Sequence, residues 1–584
     1  MSWTDRSPRS RPKPAPATAV KAAPTAPRES NRETIESIVV AFILALLIRG
    51  FEAEAFVIPT GSMAPTLMGR HKEITCPQCG YVYPINASEE SDQERDPVTW
   101  GTCANCRFQL RVDGSPSFKG DRILVMKFPY DLPGLPGAGG PDRWDVVVFK
   151  YPEEPEVNYI KRLVGLPDED LRIFYGDLMT RPHGAGGAFQ ILHKPLKHQQ
   201  AMQMLVYDDA YRPLLLAGLP AWQRWAAKVP GTWTEEGIGQ YVTAPAGSDW
   251  AELRYHHLVP DPKQWEAVLA GTKPAQAPRP TLITDFYSYN TNLTPQGYRG
   301  GTDLPEPHWV GDLTVSFRLQ VTTPGGRVRV ELVEGGVRNL CEIDLTTGAA
   351  SLARDGRPLG DPQPSGVRGT GTFDISFANV DNRLTLWVDG RTPFGAGLTY
   401  DDDPKAHPVP TVADLDPVGV AVQGAAARVS GLVLKRDIYY TLKPGEPDYG
   451  GIWPLLPNQA TDPAGRVAEV FDLLADPDRF HALAELEPWD FSIGPGRYLM
   501  MGDNSPRSKD SRGWRQSDQI RPDRPGEGWD PRPRQYWEVP GPLLIGKAFF
   551  IYWPHGKPFG PDIPITHNFR FPFRPYLERM KWIR

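Results

Sequence analysis

Four groups of residues in this chain have the types and spacing to do chemistry. The first is Ser62, in FVIPTGSMAPTL (Phe56 to Leu67), where Pro59, Gly61 and Pro65 break a short apolar run. Turn residues on both sides put its hydroxyl on a tight bend beside free backbone N–H groups. Such a serine is a candidate nucleophile once a base is supplied; alone, it also reads as an ordinary polar turn. The second is Lys161, in VNYIKRLVGLPDED (Val157 to Asp170). A strand period of two sets Tyr159, Lys161 and Leu163 on one face and Ile160, Arg162 and Val164 on the other. An ammonium with apolar neighbours pairs with a carboxylate or loses its proton, and in the second case it is a base. A surface lysine on an edge strand is the competing reading.

The third group is CPQCG (Cys76, Cys79) followed by CANC (Cys103, Cys106), the arrangement of a zinc ribbon. Each C-x-x-C turn offers two thiolates to one side of a tetrahedral ion, and a closed four-cysteine site leaves no open position, so its role would be structural. Two disulfides are the alternative. The fourth is YLMMGDNSPRSKDSRGW (Tyr498 to Trp514), dense in residues that support a polar site.

These groups need elements to hold them. With 584 residues, 63 prolines and 56 glycines, the chain exceeds one core and favours short strands and loops over long helices. A net charge of -6 does not favour nucleic acid as a partner. Residues 1–33 are basic and lack an apolar face, as a disordered tail does. The run from Ile35 to Phe51 is continuously apolar only from Ile38 to Ile48, short of the ~20 residues that span a bilayer comfortably. It reads as a membrane anchor over 34–51, with Glu36 and Arg49 snorkelling at its ends. The excess of Arg and Lys before it places the N-terminus in the cytoplasm and the rest of the chain outside. A signal peptide cleaved at Ala53-Glu54-Ala55 and a core helix are the alternatives. Residues 179–280 read as mixed, with one helix near Leu219 to Lys228. Residues 281–441 show short alternating strands (Leu313 to Val321, Arg327 to Glu334, Asn382 to Arg391, Val429 to Tyr440), an antiparallel β-sandwich pattern with Cys341 as a buried small hydrophobe. Its WVDGR turn resembles that of laminin-G or concanavalin-like sandwiches, which implies a glycan or protein ligand. The closing FRPYLERMKWIR reads as an exposed, solvated terminus.

Taken in order, PTGSMAPTL, GDRILVMKF, YIKRLVGLPDE and GDNSPRSKDSR resemble the four boxes of type I signal peptidases, membrane-anchored serine endopeptidases with a Ser-Lys dyad. The resemblance covers the anchor and segments 51–69, 119–178 and 496–554. It implies a mainly β fold: an antiparallel catalytic core of 52–69, 118–178 and 491–556 behind one transmembrane helix, interrupted by the ribbon (70–117) and the β-sandwich, with a connector (442–490) and a tail (557–584). It implies Ser62 as nucleophile, Lys161 as general base and Ser508 as the hydrogen-bond partner of the lysine amine. The hydroxyl of Thr60 joins the Ser62 N–H in an oxyanion hole, Asp503 and Asn504 form a supporting turn, and Asp510 and Arg512 form a structural ion pair. No cofactor is needed for catalysis, and a structural Zn²⁺ is expected at the cysteines. Preproteins bearing signal peptides would be the substrates, cut after a small-x-small motif at the outer, periplasmic face of the cytoplasmic membrane, with lipid as a further partner. Three features depart from the family: Asp168 stands where a turn glycine is usual, the ribbon-like insert separates the first box from the second, and an insertion of about 300 residues precedes the last box. A repressor-type Ser-Lys peptidase is disfavoured, because no DNA-binding helix pair precedes Ser62. A non-catalytic envelope protein on a peptidase scaffold would be expected to have lost Ser62 or Lys161.

Overall fold

The computed structural model describes residues 34–43, 53–90, 98–127, 130, 140–245, 247–291, 307–401, 409–444, 448, 463–480, 486–514, 535–554, 556–566 and 569–584. The chain divides into two compact units, Met1–Glu52 and Ala53–Arg584. In the first, residues 34–43 are helical. Among the described residues no helix is long and apolar enough to cross a membrane. The expected tail (1–33) and the second half of the expected anchor (44–51) lie outside the described residues.

The second unit is built on a seven-stranded antiparallel sheet. Its order is Ala53–Val57, Arg122–Met126, Leu544–Trp553, Val146–Lys150, Asn158–Gly165, Arg497–Met501 and Val539–Pro540. Strands late in the chain thus lie between and beside early ones. Alternation dictates the faces: Ile123 and Val125 are buried and pack with Ile58, Leu67, Val146 and Ile551, while Val147, Phe149 and Leu163 pack with Trp514 on another core. The lysine strand is central, with Val147 opposite Lys161 on one side and Met501 opposite Arg162 on the other.

A second, four-stranded sheet explains how the insertion is accommodated. The chain passes through Glu169–Phe174 and Asp177–Pro182, departs, and returns as Trp489–Ser492, which pairs with Glu169–Phe174 in the register Ile173 to Trp489. The excursion therefore leaves from one side of Glu169–Phe174 and returns to the other. At the turn before this sheet Asp168 holds φ at +60°, the left-handed conformation that Asp and Asn tolerate better than most residues. It thus does what a glycine would, and the turn is kept.

The inserted residues form two antiparallel sheets of eight and seven strands around one shared core that includes Val315, Phe317, Val330, Cys341 and Leu434. Two expectations are corrected here. Strands Met204–Asp208, Trp225–Ala227, Thr234–Gly237, Gln240–Thr243 and Ala251–Tyr255 belong to these same sheets, so this body starts well before residue 281; the pairing partners lie near 418–436, too far along the chain for a local pattern to show them. The helix expected near Leu219 to Lys228 is replaced by a turn at Pro220–Trp222 and a strand at Trp225–Ala227, where Trp225 pairs with Tyr255.

The end of the chain is also not a solvated tail. After a hairpin of Gly556–Thr566 and Phe569–Pro575, it docks on the seven-stranded sheet: Ile583 N–H donates to Phe549 O at 2.8 Å, Ile551 N–H to Lys581 O at 3.0 Å, and Arg579 pairs with buried Asp121 at 2.6 Å.

Among the described residues two ion pairs are wholly buried, and one of them joins Arg162 to Asp503. Arg162 donates from Nε and Nη2 to the two carboxylate oxygens of Asp503 at 2.6 Å each, and both side chains are 0% exposed. Asp503→Ala would strand the guanidinium, which typically costs ~3–5 kcal/mol. Urea titration of the full chain should show a loss of that size in the transition reported by Trp514; a loss below ~1 kcal/mol would show that the pair does not hold this sheet.

Candidate active site

Ser62 lies in the middle of a single 3-10 turn, Gly61–Met63, capped by Thr60. N–H groups at the start of such a turn have no partner within it. The Thr60 hydroxyl makes no capping bond and its residue is exposed, so hydroxyl and turn N–H groups occur together at one end of the Ser62 bend. The bend is pinned from elsewhere. Asp121, at the start of its strand, accepts from Met68 N–H at 2.8 Å, and Thr66 donates its hydroxyl to Asp503. Asn504 donates its backbone N–H to Ser62 O at 3.1 Å and its side-chain amide to Gly61 O at 3.1 Å.

Lys161 Nζ lies 2.8 Å from Ser62 Oγ and donates to Ile160 O at 3.0 Å. It stands 5.3 Å from the Tyr159 ring centre, on the face that alternation assigns it. Burial lowers its ammonium from the usual lysine range to about 8; Asp510 and Asp503 oppose this and Arg512 adds to it. The two carboxylates do not touch the amine, because each has its own guanidinium: Asp503 has Arg162, and Asp510 has Arg512, with Nη2 at 2.7 Å and both side chains 0% exposed. Asp510 also accepts from Gly502 N–H at 2.9 Å. The arrangement leaves an amine that can shed its proton near neutrality beside a hydroxyl it can deprotonate.

The structure thus brings Ser62, Lys161, Asp503, Asn504, Asp510 and Arg512 together. Ser508 needs correction: its hydroxyl is buried and has no hydrogen-bond partner among the described residues. Lys161 directs its amine to Ser62 Oγ and Ile160 O instead, and Ser508 packs against Gly502, where a Cβ would fall 2.2 Å from the Ser508 oxygen.

The four cysteines converge at a distance from this bend in the sequence. Cys76 and Cys103 each start a tight hairpin, closed by Gly80 N–H to Cys76 O at 2.8 Å and Arg107 N–H to Cys103 O at 3.1 Å. The sulfurs of Cys76 and Cys106, and of Cys79 and Cys103, are 3.6 Å apart, and all four lie within 4.8 Å of one another. A disulfide needs ~2.05 Å, whereas a tetrahedron with ~2.3 Å Zn–S bonds has edges near 3.8 Å.

Three contributors escaped the sequence reading. Asp121 stood in the recognised GDR segment but has no local partner; Arg579 reaches it from the chain's end. Asn290, from the insertion, exchanges two hydrogen bonds with Asn504. No signal in the sequence connects 290 with 504.

Residues 113–185, which include Lys161, match the family model described as signal peptidase, peptidase S26. A signal peptidase I of Pseudomonas aeruginosa is 34% identical over 135 residues, 22% of this chain and 30% of that protein. One from Pseudomonas fluorescens is 52% identical over 60 residues, 9% of this chain and 21% of that protein. The chain thus spans less than a third of the length of either relative. Among solved structures, carbohydrate binding module CBM66 from Bacillus subtilis aligns with 36% of this chain and 96% of its own at 9% identity and a TM-score of 0.22, too low to argue from.

The lowered lysine sets a pH dependence. Only neutral Lys161 can take the Ser62 proton, so any Ser62-dependent rate should rise with pH, about tenfold per unit well below pH 8, and level off above about 8. Stopped assays across that range check it; a rate already flat from pH 6 would rule out this lysine as the base.

Proposed function

We propose that this chain is a membrane-anchored serine endopeptidase that removes signal peptides from exported preproteins, with Ser62 as nucleophile and Lys161 as general base. The observation that carries the reading is the 2.8 Å contact between the Lys161 amine and the Ser62 hydroxyl in a buried site. Neutral Lys161 accepts the hydroxyl proton as Ser62 Oγ attacks the scissile carbonyl. The ammonium then gives that proton to the departing amine, and water, deprotonated by the same lysine, releases the acyl group. The Ser62 N–H and the Thr60 hydroxyl receive the developing oxyanion. The substrate is an extended peptide with small residues at the cut and three positions in, laid along a strand edge. The match of 113–185 to the signal peptidase model supports this choice of substrate.

The apolar run over 34–51 acts as the anchor, with the N-terminus in the cytoplasm, and the cut is made at the outer face of the membrane near the bilayer surface. The four cysteines hold one structural Zn²⁺: their mutual spacing suits a tetrahedral ion and is too wide for disulfides. Zinc takes no part in the cleavage.

The test is cleavage of a preprotein carrying a small-x-small site. Ser62→Ala and Lys161→Ala should each lower the rate by at least ~10³ while the circular dichroism spectrum is kept. Thr60→Val should lower it ~10²–10³. Cleavage by the Lys161→Ala protein at the wild-type rate would overturn the dyad. For the ribbon, elemental analysis should find about one zinc per chain, lost in Cys103→Ser; a metal-free protein with four unreactive cysteines would show disulfides instead.

A further inference from the structure

The insertion reaches back into the nucleophile bend. Residues Ser288–Asn290 form a 3-10 turn that lies against Gly61–Met63. Tyr289 is 0% exposed and packs with Ala64 and Met68; its ring comes so near Gly61 that a Cβ there would lie 2.3 Å from Tyr289 Cε1. The same turn is tied to the ribbon, where Thr102 N–H donates to Thr291 Oγ1 at 2.9 Å. It is tied to the last catalytic box through Asn290: Asn290 Nδ2 donates to Asn504 Oδ1 at 2.7 Å, and Asn504 Nδ2 donates to Asn290 Oδ1 at 2.9 Å.

The amide of Asn504 has two N–H bonds to give. One goes to Gly61 O at 3.1 Å and the other to Asn290. Gly61 O can only accept, so it takes one Asn504 N–H, while Asn290 takes the other and donates to Asn504 Oδ1. Without Asn290 the Asn504 amide keeps only its bond to Gly61 O and is free to turn about it. Gly61 O and Ser62 O are both held by Asn504. A loosened Asn504 side chain weakens the hold on Gly61 O and lets Ser62 Oγ shift from the amine, and misplacement by ~1 Å can cost ~10² in rate.

We infer that Asn290 is a positioning residue: carried by the insertion, it orients the Asn504 amide and thereby fixes the Ser62 bend against Lys161. The inserted module is then a working part of the catalytic scaffold. The inference about rate rests on the peptidase reading above; the inference about the bend does not.

The experiment uses the full chain with two readouts, preprotein cleavage and backbone hydrogen exchange of peptides covering residues 59–68. Asn290→Ala should lower kcat at least ~10-fold with KM within ~2-fold and speed exchange across 59–68, while zinc content and melting temperature stay as in the wild type. Asn290→Asp, which keeps the acceptor for Asn504 Nδ2 and loses the donor, should fall between the two and serves if the alanine variant does not fold. Asn290→Ala combined with Asn504→Ala should be no worse than Asn504→Ala alone, because the first acts through the second. Wild-type kcat and exchange in both Asn290 variants, or multiplicative losses in the double variant, would overturn the inference. If wild-type and Ser62→Ala proteins are equally inactive on preprotein, the peptidase reading fails, and the exchange data still decide the role of Asn290.

Discussion

A lysine amine held out of water is the constraint on which this structure depends. Taking an ammonium from water costs several kcal/mol unless a partner compensates, and the other buried lysines among the described residues are compensated. Lys72 pairs with Glu90 at 2.9 Å and donates to two backbone carbonyls. Lys194 lies 2.6 Å from both Asp381 and Asp437; burial works against its charge, but the two carboxylates outweigh it and raise the ammonium well above its usual range. Lys161 is buried as deeply and has only a hydroxyl and a carbonyl. Its neighbouring carboxylates are occupied by Arg162 and Arg512, so burial lowers its ammonium to about 8. Two wholly buried ion pairs, which are weak stabilisers in general, are here the means of denying Lys161 a counter-ion.

The insertion is tolerated because of where it starts and stops. Closing a long loop costs only ~0.6 kcal/mol for each doubling of its length, and its two ends, Asp177–Pro182 and Trp489–Ser492, are held on either side of Glu169–Phe174. The central place of Leu544–Trp553, between Arg122–Met126 and Val146–Lys150, requires the chain to return in any case. An excursion under so little penalty is free to acquire contacts of its own, and the one at Asn290 and Tyr289 falls on the bend that carries Ser62.

How much of this was legible in the sequence follows from the range of each interaction. Ser62, Lys161 and the cysteine pairs were legible because turn residues, strand alternation and C-x-x-C spacing are written within a few positions. The two-faced lysine strand was readable too, including Lys161 beside Tyr159. What was missed is non-local. The local run around Trp225 suits a helix, and only pairing with Tyr255 makes it a strand. The run around Arg579 reads as a free tail because its partner, Asp121, lies 458 residues away. The bond from Ser508 that the resemblance implies is one that its packing against Gly502 does not provide.

The distance between Lys161 and Ser62 is set by two consecutive residues. Asp503 binds Arg162, the residue next to Lys161, and so ties the turn to the lysine strand; through Thr66 it also reaches the chain just beyond Ser62. Asn504 holds the carbonyls of Gly61 and Ser62. A dipeptide over four hundred residues downstream of the serine therefore grips strand and bend at once, and neither grip uses the Ser62 hydroxyl or the Lys161 amine. The Ser62 hydroxyl and the Lys161 amine are positioned by their neighbours while their side-chain hydrogen bonding is left for each other, which is the preorganisation that the proposed chemistry requires.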